Sequence, residues 1–466
     1  MATVKQELAQ AAENFSLRVF SNPGLQKISH QALDDTGAWN QRRCPLPAQF
    51  VFTFVVVMNL FRDVSLKNLL EAVLELLRER SPGVTPQAVS PEALCKAKER
   101  LGVAPLKRGF EIVAAKIRPR CWFHGLRVYA LDGTKADLPD TPRNEGEFGR
   151  PGASRGRSAF PQALLLALVD VQTHRVKATT INPCRMDERA ASLPLLEQLG
   201  KRDLLLLDRG YAAAWYYYEL DQRQIPFLVR CKTGSKPRRL HQLADGSWMV
   251  EVKGDAPNSA ALREGWQGPR RVRNTLRMIE YRVGNSPIIR VLTNLLDPVK
   301  YPAHVLARLY ANRWEGELVF DELKNHLATV THGTMRTLFR SKRPEMVRQE
   351  AYGLLLAYNL VRETMTQAAR RRDEDPLRLS FIGTLRCIRR TIHRAQSVSK
   401  KRLPYLLDQL LSDVSEQRLA SERRDVAYPR KKKQKMSNFG VKQPHHKAEP
   451  RTREPQIVTD LGLCEQ

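Results

Sequence analysis

The sequence predicts an α/β protein whose sheet is interrupted by a β-rich insertion and flanked by helical regions on both sides. Three observations predict it. Two apolar runs of strand length, 161–170 and 203–208, read as strands buried on both faces. Segments with apolar residues at helical spacing alternate with the later strands, as an α/β core requires. Between about 232 and 300 the chain is strand-dense with no helix between, which marks an insertion.

Residues 1 to about 125 form a helical N-terminal region. Phe50 to Phe61 is its most apolar run, 12 residues against the ~20 that span a bilayer, so it reads as a buried helix or strand. Leu66 to Arg78 has apolar positions at helical spacing. Ser90, Pro91 and Glu92 supply a cap, a first-position proline and an acidic first turn for a helix reaching Leu101 and Gly102.

The core spans 126–345. Arg127 to Asp132 reads as a strand closed by a tight Asp132-Gly133 turn. Pro161 to Asp170 follows, and Arg175 to Ile181 pairs with it as a hairpin. A helix from Asp187 to Leu199 leads to the strand Asp203 to Asp208. A helix from Tyr211 to Arg223 then leads to a strand from Pro226 to Cys231. Trp248–Lys253, Met278–Val283 and Ile288–Leu292 make the inserted meander, and a helix from Tyr310 to Lys324 closes the core. Residues 346–428 are helical and basic, with Arg370-Arg371-Arg372, Arg389-Arg390 and Lys400-Lys401-Arg402 along them. Residues 429–466, poor in apolar side chains, are expected to be disordered.

The 466 residues hold 77 Lys plus Arg against 49 Asp plus Glu, a net charge of +28. That excess calls for a polyanionic partner, nucleic acid before a membrane surface. No run is long enough to span a bilayer, and the first residues lack a secretory apolar stretch. The seven cysteines form no C-x-x-C pair, which argues against a disulfide framework or structural zinc and for reduced thiols in the cytosol. Cys184 and Cys231 sit in apolar stretches as small core residues.

The helix at 310 carries the densest chemistry. Tyr310, Arg313, Glu317 and Lys324 stand at offsets of 0, 3, 7 and 14, all within an arc of roughly 60° on a helix. Leu309, Val319, Phe320, Leu323 and Leu327 lie on the adjoining arc and would dock it. Charges one and two turns apart also describe an ordinary salt-bridged face. Asp132 and Asp208, each ending an expected strand, give Glu317 two partners where ligand sites in such sheets gather. Carboxylate oxygens are the donors Mg²⁺ prefers, and three acids can hold two ions for an in-line phosphoryl displacement. Each acid also has a plainer reading as a turn residue, and Asp137, Asp140, Asp203, Asp321 and Glu315 are acids that spacing does not exclude.

Tyr310-x2-Arg313-x3-Glu317-x6-Lys324 resembles the motif of the insertion element 4 family of DDE transposases. Asp132-Gly133-Thr134, Pro139-Asp140-Thr141-Pro142 and Phe148-Gly149-Arg150-Pro151-Gly152 resemble that family's first catalytic block, and Asp208-Arg209-Gly210-Tyr211 its second. Leu60-Phe61-Arg62-Asp63 and the stretch from Lys96 to Leu106 resemble its N-terminal region. The likeness covers roughly 25–345. It implies an RNase H-like catalytic core, two Mg²⁺ ions for which Mn²⁺ can substitute, and cut-and-paste DNA movement. By motif position it makes Asp132, Asp208 and Glu317 the catalytic metal ligands. Tyr310, Arg313 and Lys324 become DNA contacts, joined by Arg209 of the second block. Trp314 either stacks on a flipped base or packs, and Trp248 and Trp266 in the insertion have no assigned role. The implied partners are double-stranded DNA, as element terminal inverted repeats and target, and a second copy in a synaptic homodimer. The implied location is the bacterial cytoplasm, on the nucleoid. A DNA-binding protein without catalysis and a structure-specific nuclease are the competing readings, and the net charge does not separate them.

Overall fold

The computed structural model describes residues 24–42, 46–72, 89–117, 119–152, 160–258, 266–284, 287–331, 335–397 and 400–419, with short strands at 426–427, 449–450, 456–459 and 462–463. The N-terminal region is helical: α1 (Leu25–Thr36), α2 (Ala48–Val57), α3 (Pro91–Leu101) and α4 (Ala104–Ala115). Every residue of α2 is buried, which is what a helix apolar on all sides must do. The Phe50 run is therefore mostly helix. The Ser90 hydroxyl caps α3 by accepting from the Ala93 amide at 3.2 Å. The helix expected from Leu66 is present to 72, and its remainder lies outside the described residues.

The core strands are β1 (Arg127–Asp137), β2 (Gln162–Asp170), β3 (Val176–Pro183), β4 (Asp203–Leu207) and β5 (Phe227–Arg230). They lie in the order β3-β2-β1-β4-β5. The β1–β2 and β2–β3 pairs are antiparallel, while β1–β4 and β4–β5 are parallel. A short helix, α5 (Pro142–Phe148), follows β1, and α6 (Glu188–Leu196) and α7 (Ala214–Gln222) connect the parallel strands. Tyr211 belongs to a 3₁₀ turn that precedes α7.

The insertion does not form a sheet of its own. Its strands β6 (Arg238–Gln242), β7 (Trp248–Asp255), β8 (Arg271–Arg282) and β9 (Ile289–Thr293) continue the core sheet, because β9 pairs with β5. After it come α8 (Ala303–Tyr310), a 3₁₀ turn (Ala311–Arg313) and α9 (Trp314–His326). Val128, Ala130, Leu204 and Leu206 pack with Leu306, Leu309 and Tyr310 of α8. Tyr129, Leu131, Leu205 and Leu207 pack on the opposite face with α6 and α7. The strand period of two thus sorts the two helix layers.

A small pair, β10 (Thr329–Thr331) and β11 (Met335–Thr337), leads to α10 (Pro344–Arg370), α11 (Phe381–Ser397) and α12 (Leu403–Ser415). These share one core with the N-terminal helices. Buried Glu350 of α10 receives Arg62 at 2.7 Å and the Arg340 and Ser341 amides at 3.0 and 3.1 Å. Much of the C-terminal basic density is neutralised within the molecule: Arg371 pairs with Asp408, Arg389 with Asp63 and Arg390 with Asp413.

In the tail, which is expected to be disordered, the described residues form short strands. Its β13 (Glu449–Pro450) pairs with β12 (Val426–Ala427), which lies just before the tail. Then β14 (Gln456–Thr459) adds to β8 and pairs with β15 (Gly462–Leu463). β14 carries Ile457, Val458 and Thr459, β-branched residues suited to an open strand edge. No helix among the described residues is long and apolar enough to cross a membrane. Cys184 and Cys231 are buried and unpaired.

Candidate active site

The site begins as a consequence of strand register. β1 and β4 run parallel, with Val128 opposite Leu204 and Leu131 opposite Leu207. The next residue on each chain is acidic, Asp132 and Asp208. Both share the parity of Ala130 and Leu206, so both point to the face covered by α8 and α9. Adjacent strands lie about 4.8 Å apart, so the two acids stand on neighbouring strand positions where β4 stops, with Asp208 Oδ1 accepting from the Gly210 amide at 2.7 Å. Asp132 does not end its strand, contrary to the expectation from sequence. β2 continues to pair with β1 as far as Asp137, and this antiparallel partner carries the strand straight through Asp132-Gly133. Gly133 is needed there, since a Cβ would stand 2.4 Å from Leu166 Cδ2.

Above these acids the helical segment is broken rather than continuous. The turn Ala311–Arg313 is 3₁₀, with the Trp314 amide donating to Ala311. Anchors lie on either side of it. Tyr310, buried, donates its hydroxyl to the Leu207 carbonyl at 2.8 Å, beside Asp208. Gly316 brings α9 onto β1, because a Cβ there would sit 3.1 Å from Ala130 Cβ and 3.7 Å from Asp132 Cβ. Glu317 follows directly, so the helix is pressed against the strand next to its acid. Arg313 Nη1 donates to Glu317 Oε1 at 2.6 Å, with Arg313 11% and Glu317 40% exposed. The ordinary i,i+4 ion pair is therefore present on this face.

The electrostatics tie the three acids together. Burial pushes the Asp132 carboxyl up to about 7, with Glu317 and Asp208 pushing the same way while the Gly133 amide and Arg313 oppose them. Burial lowers the Lys324 ammonium, against the pull of Asp137, Asp132 and Asp321 facing it. The donor set, carboxylate oxygens of which the Asp132 pair is disfavoured in its charged form by burial, fits a hard divalent cation. Among the described residues no group of three or more acidic, His or Cys side chains converges closely enough to hold one. Glu317 is instead engaged by Arg313.

The other acids are committed elsewhere. Asp203 pairs with Arg127 at 2.6 Å, and Asp137 accepts from Gln162 at 2.7 Å. Asp140 pairs with Arg150, Asp321 accepts from Asn325, and Glu315 lies 2.6 Å from His174. The first-block residues around Asp140 build α5: Thr141 caps it, and Arg150 also holds Glu145 at 3.0 Å. Arg209 is exposed beside Asp208. Trp314 is half-buried, with the Arg313 guanidinium 4.7 Å from its ring centroid. Trp266 packs against Trp215 and Tyr218, and Arg239 lies over Trp248.

Sequence reasoning missed two charged residues. The Glu188 carboxylate approaches Gly133 from the opposite face of the sheet, its Cδ 3.5 Å from where a Gly133 Cβ would stand. Burial and Asp208 raise its pKa. Lys135, exposed on β1, is among its neighbouring charges. Only the adjacency of Glu188 to the helix-capping Asp187 was visible in sequence, and that reads as an ordinary acidic first turn.

The class of protein that this α/β fold defines follows from comparison with known proteins. The profile "Transposase DDE domain" matches residues 123–360, and "Insertion element 4 transposase N-terminal" matches 20–111. Transposase InsG for insertion sequence element IS4, from Escherichia coli (strain K12), is 29% identical over 413 residues, 87% of this chain and 89% of the relative. Putative transposase InsZ of the same organism is 26% identical over 187 residues, 39% of this chain and 60% of that protein. Among solved structures, a cryo-EM piggyBac transposase synaptic complex with hairpin DNA matches at a TM-score of 0.42 and 9% identity, over 86% of this chain and 85% of that one. The chain belongs to the insertion element 4 family of DDE transposases, enzymes that act on DNA with divalent metal ions.

Proposed function

We propose that the chain binds the terminal inverted repeats of its own element and carries out cut-and-paste transposition from an RNase H-like core. The observation that supports this reading is the β1–β4 register, which ends at Leu131 and Leu207 with Asp132 and Asp208 as the next residues, while Gly316, beside Glu317, packs on Ala130 and Asp132. The strand order β3-β2-β1-β4-β5, with β2 alone running opposite to the other four, supports the RNase H-like assignment.

In this reading Asp132, Asp208 and Glu317 hold two Mg²⁺ ions, or Mn²⁺ in their place. Bound there, the ions supply Lewis-acid stabilisation of the attacking and leaving oxygens. The chain's own residues do the rest. Tyr310 pins the end of β4 through Leu207, which fixes where Asp208 stands, and contacts the DNA through its ring edge. Arg313, Lys324 and Arg209 surround the acids on the open side and bind phosphates of the strand to be cut. Arg313 leaves Glu317 for that phosphate when the site is loaded. Trp314, already stacked with Arg313, offers a π-face to an unpaired base. Two copies join the two element ends in a synaptic homodimer that then captures target DNA, at the bacterial nucleoid.

The test is a supercoiled plasmid carrying the element with its flanking DNA, incubated with the full chain and Mg²⁺. Strand cleavage should map to the element ends. Asp132→Ala and Asp208→Ala should abolish it while end binding in a gel-shift survives. Undiminished cleavage by either variant would remove the site assignment.

A further inference from the structure

We propose that His174, Glu322 and Arg362 form a clamp that sets the position of α9, and thereby act as positioning residues for Glu317. The proposal rests on the reading of Glu317 as a metal ligand. Its observations come from the side of α9 that faces away from the acids. At about 100° per residue, Glu315 and Glu322 share an arc roughly 140–160° from Glu317. Neither reaches solvent as a free surface charge.

His174 sits in the β2–β3 turn at φ +59°, 1% exposed. Its Nε2 lies 2.6 Å from Glu315 Oε2, and its Nδ1 lies 2.7 Å from Arg362 Nη2. A guanidinium only donates, so Nδ1 accepts, and the hydrogen on the ring is at Nε2, pointing at Glu315. The same Arg362 Nη2 holds both oxygens of Glu322, and Tyr358 donates to Glu322 Oε2 at 2.7 Å. Two turns of α9 are thus gripped from one side by one imidazole and one arginine.

The grip is referenced to the sheet. Asn359, on the same stretch of α10, accepts from the Val176 amide at 2.8 Å and donates to the Val176 carbonyl at 2.9 Å. Arg175 pairs with Glu363. The turn that supplies His174 is therefore bound to the helix that supplies Arg362. β2 leads from this turn back to the strand partner of Asp132, since Asp132 stands opposite Ala167. Glu315 is two residues from Glu317, and Gly316 between them rests on β1. The rotation and height of α9 over Asp132 are set by contacts on both sides of that glycine. Such orienting contacts around metal ligands are worth roughly ten- to hundredfold in metal affinity or activity.

The experiment uses the full chain and reads Mn²⁺ binding by electron paramagnetic resonance, apart from turnover. His174→Asn keeps a residue that tolerates the left-handed backbone and removes the bridge to Glu315. Glu315→Gln keeps the carbonyl acceptor and carries the test if His174→Asn fails to fold. The expected result is a folded protein with end-DNA binding retained, Mn²⁺ affinity about tenfold weaker and a lower cleavage rate at saturating DNA. Wild-type Mn²⁺ affinity and cleavage rate in a folded variant would overturn the clamp. Glu317→Ala run alongside separates the two readings. If it binds Mn²⁺ normally, the metal site itself is misplaced, whereas if only the clamp variants bind normally, the clamp alone fails.

Discussion

The two polar faces of α9 carry similar residue types and do opposite things. On one, Arg313 and Glu317 form a single i,i+4 pair at the mouth of the site, with Glu317 40% exposed. On the other, Glu322 is held by Arg362, which is 2% exposed, and by Tyr358, which is fully buried. Despite burial, Arg362 first and then Tyr358 hold the Glu322 carboxyl down at about 2. The contrast is between a buried carboxylate kept ionised by several donors and a more exposed one paired with a single arginine. A ligand that must exchange partners has to be of the second kind, and a residue that locates a helix of the first.

The largest expected effect tests that contrast head-on. Glu317→Ala should lower cleavage by on the order of 10³-fold or more, about 4 kcal/mol in the barrier, and leave the thermal midpoint unchanged. Glu322→Ala should do the reverse in kind, costing about 3 kcal/mol of stability by stranding Arg362 without its anion. Chemical denaturation and a nicking assay on the same two proteins decide it. Equal stability losses in both would erase the distinction between the faces.

Gly316 lies between the faces and couples them. Gly316→Ala places a methyl 3.1 Å from Ala130 Cβ, where backbone-mounted neighbours have little room to give. The helix should lift from β1, at about 1–3 kcal/mol of stability and with a clear loss of cleavage. A variant that is fully active would show that the close approach of α9 to Asp132 does not matter.

Asp132 gives the pH dependence. Its folded-state pKa, near 7, lies above the ordinary aspartate value of 3.8 that holds for the unfolded chain. Between those values the folded state binds the extra proton, so in chelator the protein should lose stability as pH rises from about 4 to 7, by at most about 4 kcal/mol. Asp132→Asn should flatten the profile, and Mg²⁺ should offset the loss in the wild type. An identical slope in Asp132→Asn would mean another group is responsible.

What was legible in the sequence follows from the same physics. The apolar runs at Leu164–Leu168 and Leu204–Leu207 announced buried strands, and those strands carry the site. The helical character of the stretch from Tyr310 to Lys324 was legible because helical spacing is periodic, but its 3₁₀ break at Ala311–Arg313 was not. Strand pairing is not periodic. Nothing local says that β9 joins β5, that the insertion therefore extends the core sheet, or that β2 keeps β1 extended past Asp132-Gly133. The clamp was invisible for the same reason. His174, Glu322 and Arg362 lie far apart in the chain, and each reads alone as a turn or surface residue.

The arginines make the smallest effect and the last comparison. The sequence offers the C-terminal runs as the phosphate grip, but Arg371, Arg389 and Arg390 are paired with Asp408, Asp63 and Asp413. Arg209 and Lys324 are exposed at the rim of the acids instead. Removing a side chain that neutralises one phosphate should reduce the salt slope of end binding by about 0.9. Arg209→Gln and Lys324→Gln should each show that change with little effect on stability. Arg390→Gln should leave the slope alone and cost at most about 1 kcal/mol, as exposed ion pairs do. A flattened slope from Arg390→Gln, with none from Arg209→Gln, would move the DNA path away from the acids and onto the C-terminal helices.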